Sequence, residues 1–386
     1  MDFRQSPLFR LRTARFSIIS VIALALLGAV LALTNGSSLS AGAITTATAG
    51  ASGTSLCYGE VAVPQENADT ATIIDQHSNL ITHTIGVEAQ PTFAHYSGDG
   101  RFLFVSSFNA HSIDVVDTST NTVLRTLSLG AVHPLRFVSN FDGSILWVNL
   151  YDGTNYTLQK IDAVSGAQLV PQVAFGQAYS LLLSPDETTL WIAQSSLSVD
   201  MFELNAMTLV TQSITLMGGY GWSFSMNSDG TTIYMADPNG TGVLVFDTAT
   251  KAVTQLGTIT DLRELVVSPS GTTLYGVRVN GWPALQAVAI DTTTGAVTQG
   301  VNINSLVSGG VTNGLAITAD GTKLYYSYIN YANGGLVVVE TANFNTGTFI
   351  PLEIYTAAAT CPLAADPTPT VPTTVAPDPV APAFTG

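Results

Sequence analysis

Arg263 and Glu264 are adjacent, and His133 lies just upstream of Arg136. A carboxylate or imidazole beside a guanidinium can move a proton while the cation holds a developing oxyanion, as a lactonase-like hydrolase would require. Glu88, Tyr179, Tyr220 and Trp222 fall in comparable surroundings and add charge and aromatic surface suited to holding a ligand. Motifs that would commit the chain to catalysis are missing: there is no Gly-x-Ser-x-Gly elbow, phosphate-cradling loop or Asp-x-Asp-x-Asp-Gly calcium loop. No catalytic residue is therefore assigned. His77, His83, His95, His111 and His133 scatter over different strands and loops, whereas a metal needs three or four converging ligands. No metal or other cofactor is expected, and His95 reads as a packed, hydrogen-bonded core residue.

What positions these residues is a repeat. Its first mark is a short polar turn between two apolar runs: Ser97-Gly98-Asp99-Gly100, Asn140-Phe141-Asp142-Gly143, Ser184-Pro185-Asp186-Glu187, Asn227-Ser228-Asp229-Gly230, Ser268-Pro269-Ser270-Gly271 and Thr318-Ala319-Asp320-Gly321. Asp-Gly between strand-like runs is a tight hairpin, because glycine accepts positive φ without steric cost. The second mark is an apolar strand ending in an acid or amide and then a polar turn, at Asp75, Asp117, Asp162, Asn205, Asp247, Asp291 and Glu340. These are spaced by 42, 45, 43, 42, 44 and 49 residues. Four short strands per repeat of about 45 residues make a propeller blade. The repetition of the acids argues for architecture, each side chain accepting hydrogen bonds from the turn that follows it.

The second mark occurs seven times and the first only six, so the unit beginning at Tyr58 lacks an innermost strand. Closure of a seven-bladed, all-β ring by residues 356–364, alongside the strand near Cys57, would leave no open sheet edge. Cys57 and Cys361 bracket the repeats, and in an oxidising compartment they pair as a disulfide clasp. Two separate buried thiols are the other reading. A bond closing so long a loop stabilises by on the order of 5 kcal/mol.

One register of the repeat does not repeat. Five positions before each Asp-Gly-type turn lie Thr92, Leu135, Tyr179, Trp222, Arg263 and Asn313, followed by Phe93, Arg136, Ser180, Ser223, Glu264 and Gly314. Two residues before the first set are Gln90, His133, Gln177, Tyr220, Asp261 and Val311. In a propeller this is the entry to the innermost strand, at one mouth of the central channel. Glu88, His133, Arg136, Tyr179, Tyr220, Trp222, Arg263 and Glu264 are the candidate ligand-binding residues. The alternative is a water-filled mouth with solvated side chains and structural ion pairs.

The stretch FLFVSSFNAHSIDVVDTSTNTVLRTLSLG from Phe102 to Gly130, followed by Pro134, resembles the YVTN-type β-propeller repeat of the WD40-like superfamily, and the likeness runs over residues 58–355. Asn205 and the longer loop at Asn330–Asn333 are the main departures. The resemblance implies the fold and little about activity, since such proteins include surface-layer components and binding proteins.

Residues 1–43 read as a signal peptide or an N-terminal membrane anchor. Arg4, Arg10, Arg12 and Arg15 precede an 18-residue apolar run from Phe16 to Leu33, and Ala41-Gly42-Ala43 offers small residues to a peptidase. Residues 44–56 are a linker, 57–365 the propeller, and 366–386 a Pro/Thr-rich flexible tail. Without residues 1–43 the chain keeps 8 of its 12 Lys+Arg and 26 of its 27 Asp+Glu, a net charge of −18. That acidity disfavours nucleic acid and anionic lipid, leaving the N-terminal segment as the one route to a membrane. The expectation is a secreted or cell-surface monomer that binds an extracellular protein, a glycan or a surface component. An exported lactonase-like hydrolase or lyase with its site at the channel mouth is the alternative.

Overall fold

In the computed structural model, each repeat forms one antiparallel sheet of four strands, and seven such sheets make a ring. The structure describes residues 57, 59–196, 198–211, 214–215, 223–236, 242–279, 285–303, 311–329, 334–344, 346–352 and 358–361. The N-terminal segment, the linker at 44–56 and the tail at 366–386 lie outside them. Every regular element among the described residues is a β-strand.

The second blade shows the common plan. Pro91–Tyr96 is innermost, followed outward by Phe102–Ser107, Ser112–Asp117 and Thr122–Ser128. The inner strands are buried on both faces because they pack between neighbouring blades, while Thr122–Ser128 is almost wholly exposed. The hydrophobic core is correspondingly a series of wedges between blades. One wedge joins Phe93 and Phe104 of the second blade to Phe137, Leu146 and Val148 of the third. Polar links cross the same seams: Ser223 Oγ accepts from Leu265 N (3.0 Å) and donates to Leu265 O (3.1 Å).

The expected closure is present. Ala359–Thr360 is the innermost strand of the first blade, with Thr360 opposite Val61 and Ala359 opposite Ala62. Cys57 and Cys361 are joined by a disulfide spanning 304 residues of sequence. A second clasp joins the seventh blade to the first. Lys323, 9 % exposed, donates to the Gln76 carbonyl, to His77 O (3.3 Å) and to Asn79 Oδ1 (3.2 Å), and Tyr325 also donates to Asn79 (3.3 Å).

The turn acids are architecture, with one exception. Asp75 accepts from the Ser78 amide and hydroxyl, both at 2.7 Å. Asp162, Asn205, Asp247 and Asp291 each cap the turn after them in the same way, so the amide of Asn205 does the work of an acid. These hydrogen bonds favour the ionised form and hold Asp75, Asp117, Asp162, Asp247 and Asp291 below the usual carboxylate range. Glu340 is the exception: its longer side chain pairs with Lys323 at 3.5 Å. At the other turns, Gly100, Gly143, Gly230, Gly271 and Gly321 have φ between +70° and +75°. Glu187 takes the same position with φ +58°, and its carboxylate accepts from the Phe141 amide of the preceding blade (2.7 Å).

Candidate functional site at the channel mouth

The strand pairings sort these features onto the two ends of the ring. Phe102 pairs with Asp117 and Asp117 with Thr122, so the Asp-Gly hairpins and the acid-capped turns share one end. Pro91 pairs with Ser107, Ser107 with Ser112 and Ser112 with Ser128, so the entries to the inner strands lie at the other. That second end is the mouth.

At the mouth the inner strands share an irregularity that the sequence does not announce. The register against the second strand slips between Pro91 and Phe93, Pro134 and Arg136, Ala178 and Ser180, Leu262 and Glu264, and Thr312 and Gly314. Each slip is a β-bulge, and the residue it extrudes is Thr92, Leu135, Tyr179, Arg263 or Asn313. The chemically irregular register is therefore the bulge register. A bulge re-aims one side chain without disturbing the ladder beyond it, which is why bulges recur beside binding sites. Backbone strain is placed just ahead of it, at Gln90 (φ +60°) and Asp261 (φ +55°).

The residues following the bulges converge. Arg136 is 5 % exposed and Glu264 6 %, and each guanidinium or carboxyl feels the other's charge although they sit on the third and sixth blades. Arg136 stacks over the Phe93 ring, 4.8 Å from its centroid, and lies within electrostatic reach of Tyr179. Burial lowers the Arg136 pKa to about 10, against the opposing attraction of Glu264 and Tyr179. Burial likewise pushes the Glu264 carboxyl up to about 8, with Arg136 and Arg263 pulling the other way. Glu264 therefore carries its proton at neutral pH and can donate a hydrogen bond. Its Oε2, the Nε of Arg263 and the hydroxyl of Tyr326 are buried and find no hydrogen-bond partner among the described residues.

The other candidates are placed differently. His133 is half-buried, donates from Nδ1 to Phe108 O (2.8 Å), and stacks on the Phe108 ring at 4.1 Å, with His111 against its edge. It belongs to an aromatic group and not to the Arg136–Glu264 centre. Glu88 is exposed, and its backbone is pinned by Asp114 and Ser107. Tyr220 and Trp222 lie outside the described residues. His95 is the packed residue expected: Nε2 lies 3.2 Å from Ser139 Oγ, and desolvation lowers its pKa to about 4.

Sequence reasoning missed an aromatic row on the third blade. His133 is directly opposite Tyr151, Tyr151 opposite Tyr156, and Tyr156 opposite Phe175, so all four sit side by side along the mouth edge. The Tyr151 and Tyr156 rings stack with centroids 4.7 Å apart, and Tyr156 lies within electrostatic reach of Tyr179. The signal was available: the Asp152–Asn155 turn fixes Tyr151 against Tyr156, and the hairpin register then carries the row across the blade.

No family model matches the sequence, and no curated protein does. Similarity to solved structures is nevertheless extensive. A protein of unknown function from Desulfotomaculum acetoxidans superposes with a TM-score of 0.64 at 15 % identity, over 79 % of this chain and 99 % of that one. Hydrazine synthase of Kuenenia stuttgartiensis gives 0.57 at 17 % identity, over 77 % and 97 %. The Cps50 (Swd1) β-propeller domain of Myceliophteria thermophila gives 0.55 at 16 %, over 70 % and 90 %. At these identities the likeness is one of fold, and that fold is the seven-bladed propeller.

Proposed function

We propose that the chain is an exported, extracytoplasmic binding module that takes its ligand at the channel mouth. The observation that carries the reading is the coincidence of the bulge with the one register in which every blade differs. A ring selected only for packing would repeat there as it does at the hairpin end. Export is supported by the basic and apolar N-terminal sequence and by the Cys57–Cys361 disulfide, which suits an oxidising compartment. The partner is an extracellular protein, a glycan or another cell-surface component, met by a monomer.

A thermal-shift screen of the full chain against sugars, metals and lactones tests this, with Arg263→Gln and Tyr179→Ala run in parallel. A stabilising compound whose effect disappears in either variant is the expected result. Compounds that stabilise wild type and both variants equally would remove the mouth as the site.

A second reading is a lactonase-like hydrolase or lyase. It is favoured by Glu264, a carboxyl held protonated near two guanidinium groups. Turnover of a lactone from the same screen, lost in Glu264→Gln, would put this reading first.

A further inference from the structure

Every exposed Val, Leu, Ile, Met or Phe side chain among the described residues lies at the hairpin end of the ring. Strand register places them there. Leu80, 65 % exposed, opens the outer strand of the first blade opposite Asp75, and Leu124 follows the residue opposite Val116 on the second. Val164 and Val210 belong to the capped turns of the third and fourth blades. Val253 and Val297 open the outer strands of the fifth and sixth, opposite Phe246 and Ile290. The others adjoin these or, like Phe141, lie on a hairpin turn of the same end. Only the seventh blade differs among the described residues, with Phe344 of its turn buried against the Tyr275 ring.

Exposed apolar side chains scattered singly need no explanation, but six blades presenting them at one end and none at the other do. They stand around a circle, so a flat surface can touch all six blades, whereas a compact protein would reach only a few.

The chain itself passes through this end. Glu60 lies opposite Asp75 and Val61 opposite Thr360, so Cys57 and Cys361 both lie at the hairpin end. The apolar run Phe16–Leu33 is separated from Cys57 by residues 34–56, about 25 Å as a flexible coil. With that run held in a bilayer, the hairpin end stays within reach of lipid headgroups, and a tether makes contacts count that are too weak to act alone. Charge selects the lipid. Asp75, Asp117, Asp162, Asp247 and Asp291 are ionised beside the rim, which repels anionic headgroups and suits the trimethylammonium of phosphatidylcholine.

We propose that the hairpin end rests on a membrane, the apolar rim of the first six blades seated among zwitterionic headgroups and the mouth turned away from lipid. The proposal rests on retention of residues 1–43 and is independent of what the mouth binds. The N-terminal segment brings the ring to the membrane, and the rim sets how it stands there.

The test is quenching of dye-labelled full chain, reconstituted in phosphatidylcholine vesicles, by spin-labelled phosphatidylcholine. Both native cysteines are in the disulfide, so an introduced cysteine is the only free thiol and takes the dye. Leu124→Cys and Val297→Cys place it on the rim at the second and sixth blades, across the ring from one another. Ser128→Cys, at the other end of the Leu124 strand, is the control. All three sites are exposed, and unchanged melting temperatures confirm that the variants fold. The spin label is expected to remove most of the fluorescence at both rim sites and little at Ser128. Equal quenching at all three sites, or none at the rim, overturns the proposal and leaves the rim to a protein partner. Quenching at one rim site alone also overturns it, because the ring would then lean on one side. Replacing part of the lipid with phosphatidylglycerol should weaken the rim quenching, and a rise would overturn the choice of zwitterionic lipid. An exported protein whose N-terminus begins near residue 44 sinks the proposal too, since the tether would be gone. None of these outcomes touches the reading of the mouth, which the thermal-shift screen decides.

Discussion

The two ends of the ring are built by opposite rules. At the hairpin end the blades follow one plan: a polar turn with positive φ in six of them, an acid or amide capping the next turn in all but the seventh, and, where the ring closes, a disulfide and a buried lysine. At the mouth the backbone repeats, down to a bulge in the inner strands of five blades, but the side chains do not. Stability is concentrated where the sequence repeats and chemical variety where it diverges. A repeat fold can separate the two because its antiparallel strands carry each residue predictably to one end or the other.

That separation can be broken or sharpened by substitution. The largest effect is expected from reduction, or from Cys57→Ser with Cys361→Ser, which should cost about 5 kcal/mol, read in denaturant melts with and without dithiothreitol. An unchanged melt would mean that strand pairing alone closes the ring. Next comes Gly143→Ala, at about 2 kcal/mol. Its φ is +70°, and an added Cβ would meet Ser97 Cβ at 2.9 Å. Gly271→Ala has the same φ and open space, and should cost only about 1 kcal/mol. Asp75→Ala removes two turn hydrogen bonds and should also lose about 1 kcal/mol. At the mouth, Arg263→Gln should change stability by no more than about 0.5 kcal/mol while altering ligand binding. A loss there as large as at Gly143 would erase the distinction between the ends.

A further test concerns pH. Glu264 faces Arg136, Arg263 and Tyr326, and its carboxyl titrates near 8 in the folded chain against an ordinary 4.5. Between those values the folded state binds more protons than the unfolded one. The contribution of Glu264 is thus fully present below 4.5 and is lost as pH rises through about 8. Melting temperatures of Glu264→Gln should fall less between pH 5 and about 8 than those of wild type, the Glu60 carboxyl, raised to about 7 mainly by burial, supplying the residual slope. Parallel curves would place the Glu264 carboxyl in water.

The blade count, the closure and the role of the turn acids were legible because each is local or periodic: a turn, a capped loop, a fixed spacing. Asn205 was legible for the same reason, its amide oxygen accepting from backbone as a carboxylate would. Glu340 was not, because one extra methylene and a lysine on the neighbouring strand redirect it across the sheet. The mouth was half legible. The irregular register showed that something differed at Tyr179 and Arg263, but a bulge is a relation between two strands and leaves no mark in either one alone. The meeting of Arg136 with Glu264 joins two blades far apart in sequence, and the alignment of His133 with Phe175 needs three successive strand pairings, each with its own register.

The path of the chain into and out of the ring has a geometric consequence. Cys57 leads into the Glu60–Gln65 strand, and Cys361 leaves the Ala359–Thr360 strand; Glu60 lies opposite Asp75, and Val61 opposite Thr360. Both crossings therefore occur at the hairpin end, and the disulfide ties them together there. Whatever holds the protein by either flank holds it by that end, like a cup by its base. The opening is left pointing outward, whichever flank does the holding.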